Sequence, residues 1–123
     1  MVLDDYTCVL CTSGHEETLY HLFFTCLFSI CCWNWLGVSW DLSLSTVDLI
    51  IDAHQKFGSK IFMEISMVAC WCIWLHRNGI IFDGAALSLD RWKMGFKEEL
   101  SLIMHRAKPS LKQELNIWLC NLT

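Results

Sequence analysis

Strand-forming patterns are almost absent from this sequence, whereas apolar residues recur at helical spacings of three and four. A sheet-based fold is therefore excluded, and an all-α fold is expected. Internal repeats and low-complexity linkers are also missing, and 123 residues make one domain by size. The segment Met1-Val2-Leu3-Asp4-Asp5 is acidic and lacks the charged-then-apolar order of a secretory leader. The most apolar stretch, Ile65 to Leu75, is eleven residues bounded by Glu64 and His76, which is too short for a bilayer span and reads as a buried helix. These absences predict an intracellular protein, nuclear or cytoplasmic, that is neither secreted nor bound to a membrane. Its eight cysteines are then reduced thiols or metal ligands.

Catalytic patterns are missing as well. There is no Gly-rich phosphate loop, no Gly-x-Ser-x-Gly and no His-Glu-x-x-His. His15-Glu16 lacks the second helical histidine that a zinc protease requires, and Asp4-Asp5 has no strand to present it as a polymerase carboxylate pair. No enzymatic activity is expected. His54, His76 and His105 are isolated and read as surface or half-buried residues.

What the chain does have is apolar bulk. Hydrophobic residues make up 54%, mean hydropathy is +0.39, and there are seven Trp and seven Phe. A small helical domain struggles to bury that many rings. Trp33, Trp35, Trp40, Trp71 and Trp74 are therefore expected to present aromatic surface to a partner protein or a second copy. Charge is unevenly placed within a net −4. Residues 1–58 hold seven acids against Lys56 alone. Residues 91–112 hold Arg91, Lys93, Lys97, Arg106, Lys108 and Lys112 against Glu98 and Glu99. Those six bases are the candidate phosphate contacts if RNA or DNA is a partner; the alternative is a solvated helix face.

Five to six helices are expected. The first runs from Ser13 or Gly14 to about Thr25, and the second from about Ser29 to Leu36, ended by Gly37. Ser45-Thr46-Val47-Asp48 resembles a capping box that opens a helix to about Phe57. The central helix starts at Lys60 and is ended by Asp83-Gly84. Leu89, Trp92, Phe96, Leu100 and Ile103 mark one face of a helix reaching about Ala107, before Pro109. Ser110 then caps a last helix whose face is Leu111, Leu115, Trp118 and Leu122.

The densest chemical information is Cys8-x2-Cys11-x9-His21-x4-Cys26. Three thiolates and one imidazole within nineteen residues can close a tetrahedral Zn²⁺ site with no open position, which stabilises structure rather than performing hydrolysis. His15 is an alternative to His21, and Cys31 an alternative to Cys26. His21 and Cys26 lie about 140° apart on a continuous α-helix, so they can share one ion only if the helix frays or ends before Cys26. A redox role for the Cys8/Cys11 pair lacks the βαβ context it would need. Cys70, Cys72 and Cys120 read as small core residues.

Cys8-Val9-Leu10-Cys11, Glu16-Glu17-Thr18, His21 through Cys26, Phe28-Ser29 and Trp33 resemble the reverse-transcriptase zinc-binding domain of plant LINE-type (non-LTR) retrotransposon polyproteins. Ile73-Trp74-x2-Arg77-Asn78-x2-Ile81-Phe82 is similar to the tryptophan-rich segment that follows that domain. The resemblance covers about residues 8–36 and 61–84. It implies Cys8, Cys11, His21 and Cys26 as zinc ligands, a zinc-knuckle region over 1–36 and a Trp-rich helical region over 37–123 packed with it as one unit. It also implies an origin downstream of a reverse transcriptase. The helical stretch that usually precedes the first cysteine is missing, as are polymerase and endonuclease modules, so the expectation is a stand-alone fragment or domesticated remnant.

Overall fold

The computed structural model describes residues 8–10 and 18–122. The protein is all-α, with no strand among the described residues. A single π-helical turn, His21–Thr25, leads into α1 (Leu27–Leu36), α2 (Thr46–Phe57), α3 (Phe62–Asp83), α4 (Leu89–Met104) and α5 (Pro109–Cys120). The helix expected from Ser13 or Gly14 begins outside the described residues, and so does the Cys11 end of the knuckle.

Local chemistry explains most boundaries. Ser45 Oγ accepts from the Asp48 N–H at 3.3 Å, and Ser88 Oγ accepts from the Arg91 N–H at 3.1 Å, so α2 and α4 each start on a side-chain cap. Helices α1, α2 and α3 stop where Gly37, Gly58 and Gly84 take up left-handed conformations, at φ +78°, +73° and +66°. Expected boundaries move at four places: α1 starts at Leu27 rather than about Ser29, α3 at Phe62 rather than Lys60, and two more shift around Pro109 and at the end of α4. Ser110 lies inside α5 rather than capping it, because Pro109 occupies the first turn, where its missing N–H costs nothing. Helix α4 ends at Met104, earlier than Ala107. On its inner face Met104 is buried while Ile103 is exposed, since position 104 continues the line from Phe96 and Leu100.

Helix α3 is the centre of the bundle and packs chiefly on α4, with α2 and the π turn against its flanks. Phe62, Ile65, Ala69 and Ile73 are fully buried along it. Its 22 residues make it the one helix among the described residues long and apolar enough, by length and composition, to cross a membrane. A core helix passes the same test, and here α3 lies at the core. Helix α5 closes the far side by placing Leu115 against α4, with Trp118 6.1 Å from Phe96 in an edge-on contact. The buried cluster is continuous from Cys8 and Leu10 through Trp33, Phe62 and Trp92 to Leu115.

Several side chains sit elsewhere than the sequence suggests. Trp33 is buried rather than surface-facing, with 1% of its area exposed. Trp35, Trp40 and Trp74 are half-buried, leaving Trp71 as the exposed member of that set. Cys120 is exposed, not core: it lies five residues beyond Leu115 and so points well away from the buried face. His76 is buried, stacked on Phe28 with ring centroids 5.0 Å apart, and its Nε2 accepts from the Ser88 N–H at 3.2 Å.

Candidate metal centre

Between Tyr20 and α1 the backbone widens. The Cys26 N–H donates to the His21 carbonyl at 2.8 Å, spanning five residues rather than four, and Cys26 itself is extended at φ −66°, ψ 133°. A helix interrupted this way strands its carbonyls, and buried carbonyls must find donors. The first three carbonyls of the turn each find one. Cys26 N–H serves His21, the buried Ser29 hydroxyl donates to the Leu22 carbonyl, and Trp33 Nε1 donates to the Phe23 carbonyl at 2.7 Å. That role accounts for the burial of Ser29 and Trp33. It also removes the obstacle posed by α-helical geometry, because the wide turn followed by an extended residue brings position 26 round to position 21.

The result is a buried cluster of Cys8, His21 and Cys26, with one ligand atom from each lying within 4.8 Å of the others. This group could hold a metal ion. The Cys8 and Cys26 sulfurs are 3.8 Å apart. Two thiolates at about 2.3 Å from a shared tetrahedral ion would stand about 3.8 Å apart, whereas a disulfide needs about 2.05 Å. The His21 ring is oriented by its own turn: Nδ1 lies 2.8 Å from Thr25 Oγ1, and the Thr25 hydroxyl points at the His21 carbonyl at 3.5 Å. If the hydroxyl proton goes to that carbonyl, the threonine oxygen accepts from Nδ1–H. This tautomer carries its lone pair on Nε2, as a metal-bound histidine requires.

Of the four ligands expected from the sequence, the structure brings together Cys8, His21 and Cys26. Cys11 and the alternative His15 lie outside the described residues. Cys31, the alternative thiolate, is exposed on α1 and is not part of the cluster. Among the described residues no second group of three cysteine, histidine or acidic side chains converges this way. The thiols of Cys70, Cys72 and Cys32 are poor ligands by environment. Burial pushes Cys70 up to about 11 and Cys72 up to about 12, with Glu99 adding to the second shift. Burial, with Cys31 beside it, raises Cys32 further still.

The six bases do not share one face. Lys93 and Lys97 lie over the Trp35 ring, at 5.3 and 5.8 Å from its centroid. Arg91 is two residues from Lys93 and so on the other side of α4, where it donates to the Ala86 carbonyl and lines a cavity with His76, Glu98 and Glu99. Arg106, Lys108 and Lys112 are exposed between the end of α4 and the start of α5. His76 is a feature that sequence reading missed; the only local signal was its neighbour Arg77, also buried, whose guanidinium stacks 4.7 Å over Trp74.

No protein-family model, curated protein or solved structure matches the chain.

Proposed function

We propose that this protein is a zinc-stapled helical module of retroelement origin, without catalytic activity, in which Cys8, Cys11, His21 and Cys26 hold one Zn²⁺. The observation that carries the reading is the 3.8 Å approach of two buried sulfurs eighteen residues apart, with a buried imidazole beside them. Three thiolates and one imidazole favour zinc over harder cations, and four protein ligands leave no position for a reacting water. Cys11, three residues after Cys8, is the fourth ligand in this reading. The resemblance of residues 8–36 and 61–84 to the reverse-transcriptase zinc-binding domain supports the same ligand set. Because the ligands converge only in the folded chain, metal affinity contributes directly to folding. The six bases are dispersed over different faces, so nucleic-acid binding forms no part of the proposal.

Metal analysis of protein purified without chelator tests this. About one zinc per chain is expected, together with a large fall in thermal stability on chelation and loss of the metal in Cys26→Ser. A fully folded, metal-free protein indifferent to Cys11→Ser and Cys26→Ser would refute it.

A second reading, that the module docks another protein, is favoured by one observation. Met63, Met67 and Trp71 follow each other at intervals of four along α3 and are 43%, 66% and 51% exposed.

A further inference from the structure

That stripe runs along a groove made of two apolar hollows. On one side of it lies an apolar cavity of about 490 Å³ walled by Phe24, Trp40 and Trp74; on the other lies one of about 340 Å³ walled by Ile103 of α4. Met67 and Trp71 line both. The second cavity also carries charge, and of one sign: Glu64 and Glu99 line it, and no base does. Among the described residues neither carboxylate forms an ion pair, and Glu64 Oε2 is shielded from solvent without a hydrogen-bond partner. Such an oxygen is costly to shield unless a cation or donor reaches it.

Resting on the docking reading, we propose that this groove binds an amphipathic helix of a partner protein, with its apolar side on Met63, Met67 and Trp71 and a lysine or arginine against Glu64 and Glu99. Methionine suits such a surface because its unbranched, polarizable side chain adapts to different apolar partners. The apolar stripe beside unpaired acids matches a helix with apolar residues at i, i+3, i+4 and i+7 and bases along its edge. The same acids disfavour a symmetric pairing of two α3 faces, since each Glu64 and Glu99 would approach its mate's carboxylates.

The test uses the full chain and two labelled helical peptides of roughly five turns. Both carry leucine at the i, i+3, i+4, i+7 positions; one has lysine and the other glutamate along the remaining face. The lysine peptide is expected to bind, more weakly as salt rises, and the glutamate peptide not to bind. Glu64→Gln/Glu99→Gln should weaken the lysine peptide by about tenfold, and Trp71→Ala by at least about tenfold. Asp83→Asn/Asp90→Asn, which removes the same charge from exposed residues that line neither cavity, should leave binding unchanged. Circular dichroism checks that each variant is folded. Equal binding of both peptides, or indifference to the glutamate pair, overturns the cationic occupant while leaving protein docking in place. If neither peptide binds and light scattering shows a dimer that Trp71→Ala dissociates, the occupant is a second copy and the proposal fails. If neither peptide binds and the protein is a monomer, the docking reading fails with it.

Discussion

The imidazole of His76 lies nearly parallel to the Phe28 ring, with 14° between their planes, and joins α3 to α1 across the core. Burial, helped by the nearby Arg91 charge, pulls its pKa down to about 4 from an ordinary 6.5. The unfolded chain therefore binds more protons than the folded one between pH 6.5 and 4, and stability must fall as pH falls through that window. This group contributes up to about 1.4 kcal/mol per pH unit. Denaturant titrations at pH 7 and pH 5 should show a larger loss for the wild type than for His76→Phe. Equal losses in the two proteins would remove His76 as the source.

Thr25 Oγ1 lies 2.8 Å from His21 Nδ1 without Thr25 being a proposed ligand itself. Thr25→Val should leave the metal stoichiometry unchanged and weaken affinity by roughly 10- to 100-fold, as loss of an outer-shell partner does. Competition with a graded series of chelators reads this directly.

Phe62 is fully buried, and its ring meets Trp40, His54 and Phe57 at centroid distances of 5.9, 5.0 and 5.6 Å. Phe62→Ala should cost about 3–5 kcal/mol, measured as a shift in the denaturation midpoint. A cost below about 1 kcal/mol would mean that the α2–α3 junction is far looser than the contacts indicate.

Ser45 is exposed, so replacing it tests capping without disturbing the core. Ser45→Ala should destabilise by about 1 kcal/mol, and Ser45→Asp should restore most of that. Failure of the aspartate to rescue would argue against the cap as the cause.

Helices α2, α3 and α4 were legible in the sequence because their signals are local. A Ser-x-x-Asp cap, glycines past the last turn, and apolar spacings of three and four all act within one or two turns. The geometry of the candidate metal site was legible only in part. Position 26 reads as turned away from position 21 on any regular helix, and the wide turn that brings them together depends on donors at Ser29 and Trp33, seven and ten residues ahead of the carbonyls they serve. The same dependence misplaces Trp33, whose indole reads as surplus aromatic surface until the Phe23 carbonyl needs a donor. Likewise His76 carries no local mark of burial, since what buries it is Phe28 from α1 and the Ser88 N–H from the start of α4.

The turn that presents His21 also carries Phe23 and Phe24, and both of those rings line the apolar cavity beside Met67 and Trp71. In the proposed function, an ion at His21 and Cys26 would therefore sit only a few residues of backbone from a surface on α3. An ion held between them would fix one wall of that surface, and its departure would let the wall relax. If the ion does bias that wall, linkage demands reciprocity: whatever factor the ion adds to a docked helix's affinity, the docked helix returns to the ion.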